Sequence, residues 1–81
     1  MVRISGKADD ATLLVELGRV IRARRLELGL SQELLAHNAG IDRAHMGKIE
    51  RGERNVTLLN VQRVAKALGC LPSQLLAEAN N

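Results

Sequence analysis

Arg43, Lys48 and Arg51 recur at intervals that, on a helix, set three cations away from the apolar pair Met46 and Ile49. Such cations do recognition chemistry rather than covalent chemistry. A guanidinium is a rigid fork of donors that fits the O6 and N7 acceptors of guanine, and a lysine ammonium is a point charge suited to a phosphate or a base edge. Arg43 lies at the start of the segment, the end of a groove-reading helix that usually meets base edges. The alternative for Arg43 is a solvated side chain balanced by Asp42 or Glu53. Ala44 and Gly47 share the outward side. Ala44 can touch a thymine methyl or simply permit close approach. His45 is nearer the edge of the face and can donate to a base or a phosphate, with partial burial as its alternative. Lys48 is expected further along the groove. Arg54 and Asn55, just beyond, can grip the DNA backbone without carrying sequence information.

Positioning such a face takes two helices and a sharp turn. Gln32 to Arg51 has that form. Ala36 is small where one helix must cross the other closely. Gly40 can take positive φ at the turn, and Leu35, Ile41, Met46 and Ile49 anchor both sides. The reading is a helix-turn-helix, with the second helix offered to a DNA groove.

The rest of the chain supplies a scaffold. From Leu13 a helical stripe runs through Leu14, Leu17, Val20, Ile21 and Leu28, ending at Gly29. Ser31 is the N-cap of a second helix, Gln32 to Ala39. Asp42 caps a third, Arg43 to about Arg51, closed by Gly52. Thr57 opens a fourth, in which Leu58, Val61, Val64, Ala65 and Leu68 recur before Gly69. Pro72 opens a short fifth helix bearing Leu75 and Leu76. No period-two stretch is long enough for a strand. The expected organisation is a flexible arm over residues 1–12 and an all-α domain of five short helices over residues 13–81.

Eighty-one residues allow one domain with a thin core. Hydrophobic residues are 46% of the chain, which is globular composition, yet Phe, Tyr and Trp are absent. The core must be aliphatic, and modules that stack bases on aromatic rings are excluded. Twelve Lys and Arg against nine Asp and Glu leave a formal charge of +3, which permits a polyanionic partner without requiring one. The single cysteine, Cys70, can form no intrachain disulfide and suits a reducing compartment. It makes no metal-ligand spacing with His37 and His45. No apolar run approaches a membrane span. These features predict a cytoplasmic protein that contacts no membrane and needs no metal or cofactor.

Ile21-Arg22, Gly29-Leu30-Ser31-Gln32-Glu33, Leu35-Ala36, Ala39-Gly40-Ile41, Ile49-Glu50-Arg51-Gly52 and Ala67-Leu68-Gly69 occur in this order. In that combination the chain resembles the phage-repressor-like helix-turn-helix regulators of the Xre family, from about Leu17 to Leu76. Asp42-Arg43 through Ile49-Glu50-Arg51 to Arg54-Asn55 is similar to the controller proteins of restriction-modification systems. Those usually read Asp-Arg-Thr-Tyr where this chain has Ala44 and His45, and carry a small residue where it has Lys48.

The resemblance implies a lambda-repressor-like five-helix fold with the helix-turn-helix at helices 2 and 3. It implies that Gln32 binds a phosphate and braces the recognition helix, a role the free N–H groups of a helix N-terminus would assist. It implies an ion pair between Arg22 and Glu50 that ties the first helix to the third. It also implies a homodimer on a palindromic operator. Leu59, Leu71, Leu75 and Leu76 are the expected interface, closure of the monomer core being the alternative for Leu71 and Leu75. Arg51 joins Gln32, Arg54 and Asn55 as an expected phosphate contact. Glu33 is a candidate contact to RNA polymerase, or else a first-turn Glu favoured by the helix dipole.

The expected function is sequence-specific regulation of transcription from double-stranded DNA. A DNA-binding antitoxin would need a further toxin-binding surface. A protein-interaction adaptor would not need Arg43, Lys48 and Arg51. An enzyme has the least support, since the sequence offers no nucleophile–base set, paired-carboxylate cleft, phosphate-binding glycine loop or metal cluster.

Overall fold

A computed structural model describes residues 7–80, with side chains from Thr12 onward. Its elements are α1 (Lys7–Glu27), α2 (Gln32–Ala39), α3 (Arg43–Glu50), α4 (Leu58–Leu68) and α5 (Pro72–Ala79), with no strand among the described residues. Helix α1 begins at Lys7 rather than Leu13, so residues 7–12 are helical and not part of an arm. This segment carries no apolar repeat for periodicity to register. It holds no breaker either, so nothing in its residue types stops the helix from extending back to Lys7. Residues 1–6 of the expected arm lie outside the described residues.

The three expected N-caps form. Ser31 Oγ accepts from the Leu34 N–H at 3.0 Å, Asp42 Oδ2 from Ala44 and His45 at 3.1 and 3.4 Å, and Thr57 Oγ1 from Asn60 at 3.0 Å. Each satisfies an otherwise orphaned helix donor, worth about 1 kcal/mol. The turn into α3 is set by Gly40 at φ 69°. Its N–H bonds His37 O at 3.1 Å while the Ile41 N–H bonds Ala36 O at 2.9 Å, a double closure that needs a left-handed residue. The same closure recurs after α1, α3 and α4.

The core is aliphatic throughout. Leu17 and Ile21 of α1 meet Leu35 and Ala36 of α2, Met46 and Ile49 of α3, Val61, Val64 and Leu68 of α4, and Leu75 of α5. Several expected core positions lie outside it: Leu13, Leu28 and Leu58 are 41, 53 and 76% exposed. Leu28 lies just past the end of α1 and Leu58 is the first residue of α4, where few neighbours remain to cover them. Leu75 corrects the expected interface in the other direction. It is 0% exposed, so its side chain closes the monomer core and reaches no partner. Leu59 and Leu71 remain exposed, and Leu76 is half-buried.

One glycine unremarked by pattern sets the helix arrangement. A Cβ on Gly18 would lie 2.4 Å from the Glu50 carbonyl oxygen and 2.6 Å from that of Ile49. Helix α1 therefore crosses the end of α3 at backbone contact, and only glycine fits there. No helix among the described residues is long and apolar enough to cross a membrane.

Candidate nucleic-acid interface

Met46 and Ile49 are buried at 0 and 2% exposure and anchor α3, as their spacing predicts. The opposite side of α3, with the start of α2, forms a shallow groove of about 300 Å³ lined by Gln32, Arg43, Ala44, Gly47, Lys48 and Arg51. All of these except Gly47 are DNA contacts expected from the sequence, and two helices bring them together. Arg43 is exposed, and neither Arg43 nor Lys48 has a carboxylate within ion-pair distance among the described residues. The carboxylates that could have balanced Arg43 are otherwise used: Asp42 caps α3 and Glu53 pairs with Arg51.

Arg51 donates Nε to Glu53 Oε2 at 2.8 Å and Nη2 to Oε1 at 3.3 Å. This pairing raises the guanidinium pKa above its ordinary value and lowers that of Glu53. Both groups are over half exposed, so the bond orients Arg51 more than it stabilises the fold.

His45 does not line the groove. It is half-buried, and its Nε2 is shut from solvent without a hydrogen-bond partner. Its partial burial matches the alternative given for it, and it is left out of the groove lining, as its place beside the buried Met46 explains. Arg54 and Asn55 are exposed in the α3–α4 loop, where Asn55 borders a different, apolar recess with Leu13, Leu14, Val56 and Leu58.

The ion pair that ties α1 to α3 uses Arg25, not Arg22. Arg25 Nε and Nη2 donate to Glu50 Oε2 and Oε1 at 2.7 and 3.0 Å, and Nη1 donates to Leu30 O at 3.0 Å. Both side chains are buried, while Arg22 is exposed. Helix geometry explains the difference: Leu17, Ile21 and Arg25 follow at intervals of four and share the inward face, and Arg22 is turned about 100° from Ile21. A cation continuing a core stripe was the available signal. The Glu50 hydrogen bonds raise the Arg25 pKa further above its ordinary value. Glu50 Oε1 also accepts from Gln32 Nε2 at 3.1 Å, so one carboxylate joins α1, the start of α2 and α3.

A bundle that holds two helices across a tight glycine turn and turns cations outward from the second defines a helix-turn-helix DNA-binding protein. Residues 21–75 match the helix-turn-helix family HTH_3, and this chain belongs to that family. It is 43% identical over 60 residues to Control protein C.BamHI of Bacillus amyloliquefaciens, covering 73% of this chain and 74% of that protein. It is also 43% identical over 60 residues to Control protein C.SmaI of Serratia marcescens, covering 74 and 71%. Among solved structures, the restriction-modification controller protein C.AhdI from Aeromonas hydrophila superposes with a TM-score of 0.76 at 45% identity, over 85% of this chain and 98% of that one. The clp gene regulator ClgR from Corynebacterium glutamicum superposes with a TM-score of 0.80 at 28% identity, over 84 and 72%.

Proposed function

We propose that this chain is a transcription regulator, a repressor or controller protein, that binds a palindromic operator as a homodimer. The observation that carries the reading is the α3 groove, where Arg43 and Lys48 stand without carboxylate partners among the described residues, beside Gln32 and Arg51. Arg43, at the first turn of α3, reads a base edge. Ala44 permits close approach, and Lys48 contacts a base or phosphate further along. Gln32, Arg51, Arg54 and Asn55 hold the backbone and fix register. Similarity to control proteins at 43% identity supports the regulatory role.

One α3 reads only a few base pairs, so two copies must present their recognition helices about 34 Å apart. Leu58, Leu59 and Leu71 expose 76, 52 and 62% of their surface at the starts of α4 and α5. Leu58 rims the recess of about 300 Å³ into which Leu76 also faces. A second copy covering these leucines would remove apolar surface from water, Leu58 and Leu76 at the recess and Leu71 at the far end of α4.

Selection of bound duplexes from a random pool by the full chain tests the reading. The expected product is a palindrome whose half-site centres lie about 10–10.5 base pairs apart, or a multiple of that spacing. Retention should fall with salt, each neutralised phosphate adding about −0.9 to the log–log slope. Failure to retain any duplex at low ionic strength would refute it.

A further inference from the structure

We propose that Gly47 is a positioning residue for DNA backbone contact. By carrying no side chain it keeps open the notch through which the Arg51 guanidinium lies back across α3 toward Gln32. The inference rests on the duplex-binding reading and adds a residue to it. Glycine inside a helix weakens it relative to alanine, and α3 is only eight residues long. Unlike Gly40 and Gly52, Gly47 has no positive φ to justify it. Nor does backbone crowd it, as backbone crowds Gly18. A Cβ at Gly47 would meet Arg51 Nη1 at 3.2 Å and Gln32 Oε1 at 3.4 Å, both side-chain atoms.

Those two side chains are held from behind by carboxylates. Glu53 takes Nε and Nη2 of Arg51, which leaves Nη1 over Gly47. Glu50 takes one N–H of the Gln32 amide, because a carboxylate can only accept, and leaves the other free. Glu50 is itself fixed by Arg25. The consequence is a groove floor at Gly47 where Arg51 Nη1 is a pre-oriented donor beside the Gln32 Oε1 acceptor, so the guanidinium, not the amide oxygen, binds a phosphate oxygen there with little further ordering. A methyl group at position 47 moves the flexible end of Arg51, not the backbone.

The test compares Gly47→Ala in the wild-type and Arg51→Ala backgrounds of the full chain, using the duplex that the wild type enriches from a random pool. Gly47→Ala is expected to keep or raise the melting temperature. It should weaken duplex binding about tenfold for each hydrogen bond broken between Arg51 and a phosphate. The log–log salt slope should fall by about 0.9 for each phosphate that Arg51 no longer neutralises. In the Arg51→Ala background the substitution should change affinity less than about twofold, because the interaction is already gone. The Arg51 Nε–H resonance of the free protein should move in Gly47→Ala. Wild-type binding by Gly47→Ala, an equal loss in both backgrounds, or a variant that fails to fold would each overturn the assignment. A wild-type chain that enriches no duplex would instead overturn the regulator reading, and the Gly47 assignment with it.

Discussion

Arg25 grips both oxygens of Glu50, at 2.7 and 3.0 Å, from one helix to another, and both side chains are buried. Removing either partner leaves a charge without water or counter-ion. Glu50→Ala and Arg25→Ala should each cost about 3–5 kcal/mol in denaturant unfolding. Arg22→Ala, at an exposed position, should stay within about 0.5 kcal/mol of wild type. Glu50→Ala should leave the preferred DNA sequence unchanged, since Glu50 orients α3 without facing the groove. A normal melting curve for Glu50→Ala would contradict the energetic role of the pair.

Gly18 leaves no room for a methyl group between α1 and the carbonyls of Ile49 and Glu50. Alanine there must push apart two backbones, not a flexible side chain. Gly18→Ala should destabilise by about 1–3 kcal/mol or more, despite alanine's better helix propensity. Thermal melts of Gly18→Ala beside Gly47→Ala separate the two glycines, because only the first should lose stability.

Arg43 lies in the groove without an ion-pair partner among the described residues. Arg43→Ala should lose about 1–3 kcal/mol of discrimination at one base position per half-site. Gln32→Ala should instead weaken all duplexes alike, as expected for a backbone contact. Repeating the duplex selection with each variant distinguishes these patterns.

The leucines near the chain's end divide by burial. Leu75→Ala should cost about 2–5 kcal/mol of monomer stability, because it empties a fully enclosed site. Leu59→Glu and Leu71→Glu should leave the fold intact and shift sedimentation toward monomer. A wild-type chain that is monomeric at high micromolar concentration would remove the proposed interface.

Arg24 holds Glu78 through two hydrogen bonds, one of them Nε to Oε1 at 3.2 Å, and so ties α1 to α5. The hydrogen bonding lowers the Glu78 pKa in the folded protein. With the folded value below the unfolded one, its contribution is complete above the usual carboxylate range and is lost as pH falls through the folded value. Glu78→Gln should therefore flatten the acid side of the stability profile, with a small effect because the carboxylate is exposed. An unchanged profile between about pH 5 and pH 2 would show that the pair contributes nothing in solution.

Residue order alone determined the helices, their Ser31, Asp42 and Thr57 caps, the Gly40 turn and the outward side of α3. These are local: they follow from hydrogen-bonding groups and spacing within a few residues. The start of α1 escaped because residues 7–12 are helix-compatible without being periodic. Tertiary structure decided that Arg25 rather than Arg22 meets Glu50, that Leu75 is core, that His45 is half-buried outside the groove lining and that Gly18 is a crossing point. Each depends on where one helix lies against another. Spacing fixes the direction of a side chain around its own axis, whereas the partner it meets is set by helix crossings assembled from the whole core.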